Sequence, residues 1–351
     1  MNKYTFLILM GLWAVGTPTA SAQNWQTHFE DTWGTETVTY EQGIAFFQKM
    51  ADNLPQIQLK TYGTTDIGLP LHLAIFSPSG EFDAQKLKAQ GKSVLMINNA
   101  IHPGEPDGVD ATLMLFRDYA LDKNKAALLE NTVLVTIPFY NVGGALNRGE
   151  YRRTNQNGPT SYGFRGNARN LDLNRDFIKA DSRNVRAFMQ IFQEWDPDVF
   201  VDNHVSNGAD YQYVLTYLAT QADKLGGDLG EYMRGHLIPD LKERMLAQDW
   251  DICPYVNVYG RSPIPDGYTQ FYDAPRYSSG YAALFQSLGF INETHMLKPF
   301  DVRVKATYSF METIIEHLQE NGAKIRQMRA AERARLAKQK RFALHWLPRR
   351  D

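Results

Sequence analysis

His102-Pro103-Gly104-Glu105 sets an imidazole and a carboxylate three residues apart, shortly after an apolar run, Ser93-Val94-Leu95-Met96-Ile97, that reads as a buried strand. Two such groups on a tight turn at a strand end can grip one metal ion. Zinc sites that do chemistry use three protein ligands and leave a fourth position for water, and two His plus one Glu is one such set. A third candidate, His204, ends another apolar strand within Val201-Asp202-Asn203-His204-Val205-Ser206-Asn207-Gly208. Alone it reads as a satisfied structural histidine; beside His102 and Glu105 it reads as a ligand. Asp202 is placed to orient a ligand histidine through its second ring nitrogen. Glu293 stands at the end of Phe290-Ile291-Asn292, where a carboxylate beside a metal is a candidate general base. Between these lie two Arg- and Asn-rich stretches, Tyr151-Arg152-Arg153-Thr154-Asn155 and Gly166 to Phe177. The second contains Asn174-Arg175 between apolar residues, and arginine offers a fixed fork for a carboxylate. The other histidines, His28, His72, His236, His317 and His345, have no metal-ligand pattern around them.

The elements that must hold these groups alternate in type. Helical spacing appears in Thr39 to Leu54, stopped by Pro55, and in Asp110 to Tyr119, Asn184 to Trp195 and Leu229 to Ala247. Gln58 to Tyr62 and Leu71 to Phe76 read as strands paired around Gly68-Leu69-Pro70. Further strands are expected at Val94 to Asn98, Thr132 to Phe139, Val199 to His204, Tyr211 to Leu218 and around Phe290-Ile291. This order predicts an α/β fold with a mixed central sheet flanked by helices, with active residues where strands end in loops.

The chain has 351 residues, 43% of them hydrophobic, and a net charge of −2, so nothing in its composition points to nucleic acid. Lys3, the apolar stretch Phe6 to Val15 and Ala20-Ser21-Ala22 form the pattern of a secretory signal peptide over residues 1–22. That predicts export to the periplasm or beyond, with no integral membrane segment after signal removal. A single cysteine, Cys253, excludes an intrachain disulfide, so the core must supply the stability. From Asn321 onward ten basic residues face only Glu332 and Asp351. The expected organisation is a catalytic domain over 23–320 and a basic helical tail or linker over 321–351.

Taken in order, these pieces resemble the zinc carboxypeptidase family, also called funnelins. Its pattern runs His-x-x-Glu, an arginine, Asn-Arg, a third-ligand His, a Tyr and a Glu. The resemblance covers roughly residues 40 to 320. It implies one zinc ion per chain held by His102, Glu105 and His204, and Glu293 as general base. It implies Arg152 as the arginine that polarises the scissile carbonyl, and Asn174 with Arg175 as the pair holding the C-terminal carboxylate of a peptide substrate. The substrate-capping tyrosine falls among Tyr268, Tyr272, Tyr277 and Tyr281. Tyr277 is preferred, because Ser278-Ser279-Gly280 follows it. The surroundings of Glu293, Asn-Glu-Thr-His-Met-Leu-Lys-Pro, differ from those of digestive carboxypeptidases. Two rival functions share the metal core: an amidase acting on cell-wall peptides and a deacylase acting on N-acyl amino acids. A non-catalytic binding protein on the same fold would be expected to lack a ligand or the base, and none is missing here.

Overall fold

The computed structural model describes residues 24–207, 209–210, 212–257 and 269–341. The expected signal peptide, Tyr268 and residues 342–351 of the basic tail lie outside the described residues. β1 (Ile57–Thr64) and β2 (Pro70–Phe76) form the expected antiparallel hairpin, with Ile57 opposite Phe76. β3 (Ser93–Asn98), β4 (Thr132–Ile137) and β5 (Val199–Val205) run parallel to one another. β6 (Leu215–Ala219) starts later than the expected Tyr211 and pairs with β7 (Ile252–Pro254). β8 (Val256–Asn257) and β9 (Thr269–Gln270) make a separate short ribbon. β10 (Leu288–Thr294) lies parallel to β5 and antiparallel to β6. The eight-stranded sheet is therefore mixed, in the order β1-β2-β4-β3-β5-β10-β6-β7.

Both faces of the sheet are covered, which explains strands that read as continuous apolar runs. Leu95 and Ile97 enter a core with the helices Tyr40–Asn53, Asp107–Leu121 and Phe300–Leu336. Val94 and Met96 enter the opposite core, with the helix Arg183–Trp195. Local signals set the helix ends. Thr39 and Gln42 form a reciprocal capping box, at 3.2 and 2.8 Å, and the helix stops at Asn53 before Pro55. Ser182 caps Arg183–Trp195 through the Val185 amide at 3.1 Å. The expected single helix over Leu229 to Ala247 is interrupted. A π turn at Met233–Leu237 joins Gly227–Tyr232 to Ile238–Ala247. Pro239, with no amide hydrogen to give, sits at the start of the last piece.

The basic tail is partly built into the fold. The helix Phe300–Leu336 passes without a break through the residue-320 boundary. Arg329 is 4% exposed and holds Asp196 at 2.8 Å and Asp198 at 2.5 Å. Asp196 adopts a left-handed conformation, φ 43°, at the end of Arg183–Trp195, and Arg333 Nη1 also donates to it at 2.8 Å. No helix among the described residues is long and apolar enough to cross a membrane.

The helix Asp107–Leu121 packs its first turn directly against the sheet. A Cβ on Gly108 would lie 2.4 Å from Asn203 Cβ, so only glycine allows this approach. In the same first turn, Asp110 is fully buried and accepts from Thr37 Oγ1 at 2.5 Å and the Val38 amide at 3.3 Å. Burial pushes its carboxyl up to about 7, with Asp107 adding to the rise, from an ordinary 3.8. A folded-state value above the unfolded one stabilises fully below about pH 4 and is lost as pH rises through about 7. Asp110→Asn should therefore gain stability over the parent between pH 5 and pH 8, on the order of 2–4 kcal/mol. Melting temperatures of the two proteins across that range test this; a constant difference would refute it.

Candidate metal centre and active-site cavity

The three expected ligands arrive from the carboxyl ends of neighbouring strands. His102 and Glu105 follow β3 on the turn before Asp107–Leu121, and His204 lies near the end of β5. Their ligand atoms all lie within 4.8 Å of one another, and this is the one such group found among the described residues. All three are buried, each 3% exposed.

The second nitrogen of each histidine is held by a carboxylate. His102 Nε2 meets Asp172 Oδ1 at 3.0 Å, and His204 Nε2 meets Asp202 Oδ2 at 2.9 Å. This leaves Nδ1 of both rings facing Glu105, at 3.3 and 3.1 Å. Carboxylates behind ligand histidines fix the tautomer and raise basicity, so the donor set fits one zinc ion. The charges are balanced around that point. Burial pushes Glu105 up, but Arg153 and His102 outweigh it and hold the carboxyl well below its usual range. Burial alone would lower His204, yet Asp202 and Glu105 hold it well above its ordinary value. Asp172 is likewise held low by His102 and Arg165 against the effect of burial.

Glu293 stands beside the ligands because β10 pairs with β5 in register, Glu293 opposite His204. Its carboxylate lines a cavity of about 300 Å³ with His102, Glu105 and His204. Among the described residues, nothing donates a side-chain or backbone hydrogen bond to it, so it is free to take a proton. Burial pushes it up to about 7; His204 pulls down and Glu105 pushes up.

Asn174 and Arg175 line the same cavity from a one-turn helix, Leu173–Arg175, capped by Asp172 through the Asn174 amide at 3.0 Å. Leu173 and Phe177, both 0% exposed, pin this turn on either side. The Asn174 Oδ1 atom has no partner among the described residues. The Arg175 guanidinium lies 4.7 Å above the Tyr277 ring.

Tyr277 is the expected tyrosine that reaches the cavity. Tyr272 is 51% exposed beneath Lys224, and Tyr281 packs in the aromatic core against Phe192 and Phe177. Arg152 is not brought to the site. It is exposed, donates to Asn147 Oδ1 at 2.7 Å and lies over Phe164. Two other arginines come near the ligands instead: Arg165, which lines the cavity, and Arg153, which lies 3.0 Å from Glu105. Arg165 forks onto Asp172 at 2.9 and 3.1 Å and points Nη1 at His102, 3.3 Å away. Arg153 donates to the carbonyls of Val205 and Ser206, tying the end of β5 to Glu105. Reading the sequence missed Arg153, Arg165 and Asp172. Asp172 carried one signal, its place two residues before Asn174 in a pinned turn; for the arginines a loop gives no period that says which side chain turns inward.

The zinc carboxypeptidase family model matches residues 44–223, just over half of the chain. The chain belongs to the zinc carboxypeptidase family. The match spans all three zinc-ligand positions and Asn174-Arg175 of this zinc carboxypeptidase homologue, while Tyr277 and Glu293 lie beyond it and are placed by the fold. Among solved structures, it is similar to a metallo-carboxypeptidase from Burkholderia cenocepacia, with TM-score 0.59 and 18% identity over 80% of this chain and 69% of that one. A metallo-carboxypeptidase from Pseudomonas aeruginosa, in complex with (2-guanidinoethylmercapto)succinic acid, gives 0.60 and 16% over 82% and 70%. Carboxypeptidase A from Helicoverpa armigera gives 0.55 and 16% over 87% and 75%. At these identities the likeness is one of fold. No curated protein matches the sequence.

Proposed function

We propose that this chain is an exported, zinc-dependent exopeptidase that removes residues from the C-termini of peptides. The observation that carries this reading is the convergence in one cavity of His102, Glu105 and His204 with Glu293, Asn174 and Arg175. Bound zinc supplies a Lewis acid that makes water a nucleophile near neutral pH. Glu293 takes a proton from the attacking water as its oxygen joins the scissile carbonyl carbon, and returns a proton to the amine nitrogen as the C–N bond breaks. Arg165 donates to the carbonyl oxygen as negative charge develops there. Arg175 receives the terminal carboxylate with its guanidinium fork, Asn174 adds a hydrogen bond, and together they fix the bond that is cut as the last one. Tyr277 closes the cavity beside them.

This assignment gives Arg165 the role first expected of Arg152. Arg165→Ala should lower kcat about a hundredfold to a thousandfold on a peptide substrate, while Arg152→Ala stays within about threefold. The reverse ranking would return the role to Arg152.

Arg175 decides between an exopeptidase and an enzyme indifferent to the substrate's end. Arg175→Ala should raise KM for free-acid peptides about tenfold to a hundredfold, the size of a lost charge-assisted pair. It should leave the weak turnover of C-terminally amidated peptides unchanged. Equal losses on both would argue against the role. Mass spectrometry of the products separates this function from the amidase and deacylase readings, since only the exopeptidase releases single C-terminal residues. Export is supported by the residue pattern before Gln23, and N-terminal sequencing of the mature protein tests it.

A further inference from the structure

Successive side chains of a strand point to opposite faces, so Thr294 turns away from the cavity that Glu293 lines. It is fully buried, and its hydroxyl meets two groups. One is the carboxylate of Asp107, with Oδ2 at 2.5 Å; the other is the backbone carbonyl of His204, at 3.3 Å. Asp107 stands two residues after the ligand Glu105, at the start of the helix Asp107–Leu121. One hydroxyl therefore touches the strand of the base, the strand of the third ligand and the segment that follows the other two.

This junction is anchored from behind. Arg303, on the helix Phe300–Leu336, is fully buried and donates from Nε to Asp107 Oδ2 at 2.9 Å and from Nη2 to Oδ1 at 3.3 Å. Its other hydrogens go to the carbonyls of Asn157, Lys298 and Gly158, at 2.8, 2.8 and 2.9 Å. Removing Asp107 or Arg303 would leave the other ion buried and unpaired, so those two variants would report on folding. Thr294 differs, because Asp107 keeps its arginine when the hydroxyl is gone. What is lost is the fastening of β10 beside Glu293. A base must lie within hydrogen-bond reach of the proton it takes, and a misplacement of about 1 Å can cost about a hundredfold in rate.

We propose that Thr294 is a positioning residue that fixes Glu293 against the metal ligands through Asp107 and Arg303. The inference rests on the reading of Glu293 as the base of an exopeptidase. The test uses the zinc-loaded full chain and one free-acid peptide, with Thr294→Val and Thr294→Ser each compared with the parent. Thr294→Val should lower kcat about tenfold to a hundredfold and leave KM within about twofold. Zinc content, and zinc retention against a chelator, should equal the parent's. Thr294→Ser keeps the hydroxyl and should stay within about threefold of the parent kcat. In a Glu293→Gln background, Thr294→Val should change the residual rate by less than about twofold, because a residue acting through the base has nothing left to act on. Parent-like kcat in Thr294→Val, an equal loss in Thr294→Ser, a loss that follows zinc content, or the same loss in the Glu293→Gln background overturns this inference alone. Parent turnover in Glu293→Gln, or no release of a C-terminal residue by the parent, overturns the underlying reading and this inference with it.

Discussion

Glu293→Gln should keep one zinc per chain and lose all but about a hundredth to a ten-thousandth of peptide hydrolysis. The substitution is nearly isosteric, and its target faces the cavity without a hydrogen-bond donor among the described residues, so the fold has little reason to change. The three ligands reach the metal position from other segments and keep their own carboxylate partners, Asp172 and Asp202. What disappears is the acceptor for the water proton. The pH profile gives a second signature. Burial pushes Glu293 up to about 7, and the base works only when ionised, so the parent loses activity as pH falls through that region. A dication beside the carboxylate pulls its titration downward, which places the acidic limb at or below pH 7. The variant's residual rate should lack this limb. Elemental analysis and kcat measured together decide the matter: normal turnover, or a loss that tracks zinc content, would sink the assignment of Glu293 as base.

Arg329→Ala should be the most destabilising change in the basic carboxy-terminal stretch, at about 3–5 kcal/mol. Arg329 gives its guanidinium hydrogens to Asp196, Asp198, Ser287 Oγ and the carbonyls of Phe285 and Gln286. Asp198 is 3% exposed and also accepts the Val94 amide at 3.0 Å, so it joins the start of β3 to the carboxy-terminal helix. Truncating the arginine leaves that carboxylate buried without its cation, and uncompensated buried charge is the expensive outcome. Asp196 is less dependent, because Arg333 also holds it. A fall in melting temperature of roughly 5 °C or more is expected. Lys340→Ala, in an exposed position of the same stretch, should stay within about 0.5 kcal/mol of the parent. Equal melting temperatures for the two variants would show that the ion cluster does not hold the helix.

Residue order alone determined the fold class and most of the site. His102, Glu105, His204 and Glu293 stand at or just beyond the ends of apolar runs. A strand in a covered sheet must place its carboxyl end at the rim, so their convergence was implied once the runs were recognised. Asn174-Arg175 was legible for a similar reason, since Leu173 and Phe177 had to be buried on either side. Which arginine reaches the cavity was not legible. Arg152, Arg153 and Arg165 lie in loops, which have no hydrophobic period to say which side faces inward. Only the contacts of Asp172 and Glu105, made from distant segments, drew Arg165 and Arg153 in and left Arg152 outside. The small residues after Tyr277 already favour it over Tyr272 and Tyr281, and the turn of the chain before the helix Ser278–Ala283 is what carries it to the cavity. The basic tail likewise read as a solvated helix by charge. Asp196 and Asp198, more than 130 residues away in sequence from Arg329, turned its middle into part of the core. Local spacing encodes elements and their ends; which side chains meet across long loops is decided by packing.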